Sequence, residues 1–225
     1  MSKQKKSTRK NNQLMILALV GAVTLAVVFG GLMLVNNGGD DEGANAPPVA
    51  ESALVTEDAW KITADGATVT IVEFLDLECE ACRAAHPNVK QVLDTYEGKV
   101  NYVVRQFTNH NNSVLAAKAA EAAGEQGKYW EMVDTLFTRQ PEWGEQKDSQ
   151  APLFSAYAAE LGLDIPAFEA SMASDKYLDK IAADKLQAQE LGVNATPTFY
   201  INGTKIVGVL SVSEMSSRID AELNK

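Results

Sequence analysis

Residues 68–82 read Thr-Val-Thr-Ile-Val-Glu-Phe-Leu-Asp-Leu-Glu-Cys-Glu-Ala-Cys, and two kinds of pattern meet inside them. Up to Asp76 the run is β-branched and mostly apolar, which predicts a strand buried on both faces. After Leu77-Glu78 the pattern turns helical, from Cys79 to about Tyr96, with Glu97-Gly98 as the stop. A second β-prone run, Val100 to Phe107, follows, and then a polar break from Thr108 to Ser113. Strand, helix and strand in such a short stretch make a βαβ unit, which implies a parallel pair.

Toward the C-terminus, no strand pattern appears from Val114 to about Leu191, where Ala, Leu, Glu and Gln dominate between Gly and Pro punctuation. This predicts four or five short helices. Asn194-Ala195-Thr196-Pro197 then leads into Thr198–Ile201, the turn Asn202-Gly203 and Thr204–Val207, a strong hairpin signal. Ser211 to Leu223 reads as a closing amphipathic helix, with Ser211 or Ser213 as N-cap and Glu214 in the first turn.

Toward the N-terminus, residues 14–35 are 22 positions with no charge and no proline. As a helix they measure about 33 Å, against about 30 Å of bilayer hydrocarbon, so they predict one transmembrane anchor. Lys3, Lys5, Lys6, Arg9 and Lys10 precede the span and Asp40, Asp41 and Glu42 follow it. By the positive-inside rule, residues 1–13 are a cytoplasmic basic segment and the bulk of the chain is extracytoplasmic. A cleaved signal peptide would have a shorter apolar stretch, and its one candidate site, Ala44-Asn45-Ala46, is followed by Pro47. Residues 36–58 have linker composition, and residues 59–225 form the expected folded domain.

The 225 residues carry 20 basic and 30 acidic side chains. Five of the basic ones fall in the first ten positions, leaving 15 against 30 in the rest, a body that repels nucleic acid. With 46% hydrophobic residues and two cysteines, the chain is neither a disulfide scaffold nor disordered throughout.

Those two cysteines, Cys79 and Cys82, stand three apart at the start of the first helix. There the free N–H groups and the macrodipole stabilise an anion, favouring a thiolate at Cys79, while Cys82 lies one turn on and within disulfide reach. Cys79 is the expected attacking sulfur and Cys82 the resolving one. A structural zinc site would need more ligands than His86 and His110 offer, so no metal is expected. A permanent structural disulfide over so short a loop would constrain the unfolded chain very little.

With FLDLECEACRAAHPNV and NATPTFYING on the page, the chain resembles the disulfide-exchange proteins of the thioredoxin superfamily. With the helical insertion at about 114–191 and the anchor, it looks most like membrane-tethered members of the DsbA-like branch. The implied fold is thioredoxin-like α/β, with that insertion between the βαβ unit and the hairpin. The resemblance places Cys79-Glu80-Ala81-Cys82 at the redox motif and Thr196-Pro197 at the family's cis-proline loop. It puts Glu73 where the family keeps a buried acid that handles the resolving thiol's proton, and Pro87 at a helix-kinking proline. Glu80 and Ala81 occupy positions where strongly oxidising members usually have a proline or a histidine, and Glu78 and Asp76 add negative charge nearby.

The expected function is extracytoplasmic thiol–disulfide exchange that introduces disulfides into secreted or cell-envelope proteins. It needs no cofactor, but a membrane redox partner must reset the pair. An extracytoplasmic reductase or isomerase is the alternative within the class, suggested by Thr196 and the acidic surroundings. A tethered binding or chaperone module with an incidental cysteine pair is the alternative outside it.

Overall fold

A computed structural model describes residues 47–225. The basic segment 1–13, the expected span 14–35 and the first part of the expected linker lie outside the described residues. Among the described residues no helix is long and apolar enough to cross a membrane.

The elements run α1 Glu51–Leu54, β1 Trp60–Ile62, β2 Val69–Leu75, α2 Glu80–Thr95 and β3 Val100–Gln106. Six helices follow: α3 Ser113–Gly124, α4 Tyr129–Thr138, α5 Gln140–Trp143, α6 Ala151–Glu160, α7 Ile165–Ala173 and α8 Leu178–Glu190. The chain then forms β4 Thr198–Ile201, β5 Thr204–Val207 and α9 Val212–Leu223. The strands make one sheet in the order β1-β3-β2-β4-β5. β2 and β3 are parallel, with Ile71 opposite Tyr102, and the other pairs are antiparallel. This is the thioredoxin-like mixed sheet expected from the βαβ unit and the hairpin.

β2 is central and every residue in it is buried, as a β-branched apolar run requires. Its alternate side chains serve two cores. Val69, Ile71 and Leu75 pack with α2, α9 and the helical insertion, whereas Val72 and Phe74 pack with Val103, Tyr200 and Ala188 on the opposite face. The insertion's Phe137, Trp143, Phe154, Tyr157 and Phe168 are all essentially buried, so these aromatics are core. α9 begins at Ser211, whose hydroxyl and the Glu214 carboxylate form a capping box. The hairpin turn takes positive φ at both central residues, 44° at Asn202 and 80° at Gly203, the conformation that Asn-Gly adopts readily.

Three features differ from the sequence expectation. The linker expected through residue 58 ends earlier, because α1 buries Leu54 in the second core and the Val49 N–H donates to the Gly203 carbonyl at 2.9 Å. β1, a three-residue edge strand too short to show alternation, adds antiparallel pairing to β3. Its Trp60 ring stacks on Tyr129 at 4.3 Å between centroids and lies so close to Gly124 that any Cβ there would overlap it. The helical block has six helices rather than four or five.

Candidate active site

Cys79 is the N-cap of α2, with extended backbone (φ −76°, ψ 123°), and Cys82 sits inside the first turn. Both are free thiols. Cys79 keeps 8% of its surface and Cys82 none, so the first cysteine is the less shielded of the two. The Cys79 thiol is held well below its usual range, at about 5, first by the hydrogen bond from Cys82, then by Thr196 and by the N–H groups of Cys82 and Ala81. Burial pushes the Cys82 thiol up, and the charges of Cys79 and Glu73 push it the same way. The pair is therefore asymmetric as the helix position predicts: one thiolate-prone sulfur and one protonated, shielded sulfur.

The Thr196-Pro197 bond is cis, and the Thr196 carbonyl accepts from Cys79 Sγ at 3.5 Å. The loop before β4 thus lies directly against the Cys79 sulfur. Glu80 is exposed and Ala81 half-buried on the first turn of α2, flanking the two cysteines. Pro87 lies inside α2.

Glu73 is buried at 3% exposure on the α2 face of β2. Its hydrogen-bond partner is Tyr102 on β3, whose hydroxyl donates to Oε2 at 2.5 Å. Burial raises its carboxyl to about 7, against a smaller lowering by Tyr102. It is a half-protonated acid near neutral pH, electrostatically coupled to Cys82. Tyr102 was not visible as a site residue in the sequence, because only the parallel register of β2 and β3 brings it beside Glu73.

Asp76 and Glu78, expected to add negative charge near the cysteines, are both buried and hydrogen-bonded. Asp76 is fully buried and accepts from the Glu78 N–H, the Ser113 hydroxyl, the Asn109 N–H and His110 Nδ1. Glu78, 1% exposed, accepts from the Asn112 and Glu145 N–H groups. They clasp the loop that enters α3 and supply the acceptors its N-terminal amides need. Gln140 of the insertion completes the anchoring, its Nε2 donating to the Leu77 and Cys79 carbonyls at 2.8 and 3.1 Å. His86, two turns from Cys79, bonds Asp134 at 2.9 Å and packs on Phe137, apart from the sulfurs. A groove of about 550 Å³ along α2 and α4, lined by Arg83, His86 and Asp134 among others, includes neither cysteine.

A family model described as Thioredoxin matches residues 57–221. Among solved structures, the chain is similar to a thioredoxin-like oxidoreductase from Silicibacter pomeroyi DSS-3, with 27% identity and a TM-score of 0.67 over 79% of this chain and 99% of that one. It is also similar to alpha-DsbA1 of Wolbachia pipientis, with 25% identity and a TM-score of 0.70 over 76% and 94% of the two chains. BdbD from Bacillus subtilis, at 24% identity and a TM-score of 0.66 over 73% and 92%, shares the fold. Among curated proteins, the chain is 30% identical over 181 residues to the Na(+)/H(+) antiporter NhaA of Herminiimonas arsenicoxydans, covering 80% of this chain and 28% of that protein. It is 37% identical over 156 residues to Na(+)/H(+) antiporter NhaA 3 of Salinispora tropica, covering 68% and 23%. The chain thus spans about a quarter of the length of the curated relatives it matches. A family match from residue 57 to residue 221, laid over a sheet that delivers the cysteine pair, the proline loop and the buried acid to one place, makes this chain a member of the thioredoxin family.

Proposed function

We propose that the domain catalyses thiol–disulfide exchange and acts as an oxidant of protein thiols through Cys79 and Cys82. The carrying observation is the asymmetry of the pair, a stabilised thiolate at the accessible sulfur and a raised thiol at the buried one. Starting from the Cys79–Cys82 disulfide, a substrate thiolate attacks Cys79 Sγ and Cys82 leaves as a thiolate. Glu73, protonated in part near neutral pH, is the acid that returns a proton to Cys82. A second substrate thiol then loses its proton and attacks the mixed disulfide, and Cys79 departs as a stable thiolate, leaving the substrate oxidised and the pair reduced. A low leaving-group pKa speeds that last step and stabilises the reduced form, which makes the pair oxidising. The loop at Thr196-Pro197 lines the approach to Cys79 and is the backbone against which an extended substrate segment would lie.

Reductase or isomerase chemistry is the alternative, suggested by Thr196 and the acidic surroundings, in which Asp76 is bonded to His110 while Glu78 accepts from backbone N–H groups. In this reading the apolar stretch at 14–35 tethers the domain to the outer face of a membrane, the substrates are secreted or envelope proteins, and a membrane redox partner removes the two electrons. Support for the tether comes from the sequence pattern, and a reporter fused after Lys225 tests it by its side of the membrane.

The chemistry is tested by Cys82→Ser, which should accumulate mixed disulfides through Cys79, and by Cys79→Ser, which should accumulate few and lose exchange. Faster alkylation of Cys82 than Cys79 in the reduced protein would reverse the roles. A measured potential between about −120 and −270 mV is expected, and a value at or below the lower limit would favour the reductase.

A further inference from the structure

The loop between β3 and α3 is bound to the segment immediately before the cysteine pair. Asp76 Oδ2 accepts from the Asn109 N–H at 2.7 Å and from His110 Nδ1 at 2.8 Å. The Asp76 carbonyl accepts the Cys79 N–H at 3.1 Å, so one residue holds both the backbone of Cys79 and the ring of His110. The placement is pinned twice more, by the Asn112 N–H on Glu78 at 2.5 Å and by the His110 N–H on the Ser113 hydroxyl at 2.9 Å. Asp76 is fully buried, whereas the His110 side chain keeps 40% of its surface. With Nδ1 committed to Asp76, Nε2 makes no hydrogen bond among the described residues and is the ring's free edge.

We propose that His110, carried on the β3–α3 loop and held by Asp76, is the positively charged group that stabilises the Cys79 thiolate, acting as a positioning residue for the exchange chemistry. The proposal rests on the exchange reading above and names the device that tunes its attacking sulfur. Asp76 bonds His110 directly and accepts the Cys79 N–H through its carbonyl, which brings the ring to the start of α2, where the charges of Cys79 and Glu78 also act on it. From α8, Lys185 bonds the Thr108 carbonyl at the loop's start, and from the facing loop Glu145 donates its N–H to Glu78 with its own side chain exposed. Burial of the ring opposes its protonation, but the bond and charge of Asp76, with the charges of Cys79 and Glu78, outweigh it and raise the imidazole above its ordinary range. Stabilisation is reciprocal: if the Cys79 thiolate favours the imidazolium, the imidazolium favours the thiolate by the same free energy. It also explains why Asp76, a buried acid so near the sulfur, need not oppose ionisation: its charge is matched by the ring it holds.

His110→Asn keeps a short donor for Asp76 but removes the charge, so it separates an electrostatic role from a structural one. The reduced protein is alkylated with iodoacetamide across pH 4–9, the modified cysteine is identified by mass, and the redox equilibrium with glutathione is measured in parallel. The Cys79 titration midpoint is expected to rise by up to about one unit in His110→Asn, and the equilibrium constant to shift about three- to tenfold toward the disulfide form of the protein. An unchanged midpoint and an unchanged equilibrium would overturn the proposal. A shifted midpoint in a protein that transfers no disulfide to reduced substrates would instead support the role of His110 while overturning the proposed function, so the two failures are distinct.

Discussion

The two faces of the central sheet each bury charge, and they treat it in opposite ways. On the α2 face Glu73 has a tyrosine hydroxyl as its hydrogen-bond partner and, among the described residues, no cation, and burial raises it to about 7. On the other face, with Phe74 and Arg105 in register one position along, the Arg105 guanidinium is satisfied on three sides. It donates to Asp184 at 2.7 Å, to the Leu54 carbonyl at 2.8 Å and to Gln187 at 2.6 Å, and stacks 5.5 Å from the Phe74 ring centre. Asp184 also accepts the Gln106 N–H, and Lys180 lies between Asp184 and Glu121. A buried charge with a full set of partners is a clamp, here joining β3, α1, α8 and, through Lys180 and Glu121, α3. A buried acid without such a partner can store a proton, and Glu73 is found on the face that carries Cys79 and Cys82.

The contrast breaks most visibly on the clamp side. Asp184→Ala strands Arg105 in the interior and is expected to cost about 3–5 kcal/mol in chemical denaturation. A loss under about 1 kcal/mol would mean that water or Gln187 replaces the partner and that the two faces do not differ in kind.

The next largest effect is on the store side, in the disulfide form, where the cysteines do not titrate. An acid whose pKa is raised from 4.5 to about 7 on folding holds a proton that the unfolded chain has released. Stability is therefore full below about pH 4.5, falls as pH rises through 7, and levels off with a total loss of roughly 3 kcal/mol. Denaturation curves at pH 5 and pH 8 should show this component in the wild type and lack it in Glu73→Gln. The same component surviving in Glu73→Gln would assign it elsewhere.

A smaller signature belongs to the sulfurs. Below the Cys79 pKa of about 5, reduction takes up two protons with two electrons, and above it only one. The potential should thus fall by roughly 60 mV per pH unit below that point and by roughly 30 mV above it. Gln187→Ala on the clamp face should leave this break in place, and a single slope across pH 4–8 would count against a stabilised thiolate. The smallest expected effect is at Glu80, an exposed charge in the first turn of α2. Glu80→Gln should raise the potential by less than about 20 mV, because solvent screens the interaction. A shift several times larger would show that the first turn of α2 is far less wetted than its exposure indicates.

Several elements were legible in the chain itself. The switch from a β-branched run to a helix at Cys79 placed the pair at a helix start. Asn202-Gly203 announced the hairpin, and Ser211 with Glu214 announced the last helix. Each of these signals is local: a periodicity, a turn dipeptide or a cap, all set by interactions within a few residues. Glu73 as a buried acid came from resemblance, and burial on β2 agrees with it.

Tertiary structure alone decided what the charged residues near the cysteines do. Asp76 and Glu78 read as free acids beside the thiolate in the sequence, yet both are buried and occupied by a loop more than thirty residues away. Tyr102, His110 and Gln140 gave no sign of belonging to the site, since each arrives from a different element: the parallel strand, the loop after it and the helical insertion. β1 and the early docking of Leu54 were equally hidden, being short segments ordered by what they pack against. Local sequence determines where a side chain sits along its own element. The sign and size of its effect on a neighbouring sulfur depend on partners brought close by the fold, and on how much water the fold leaves between them.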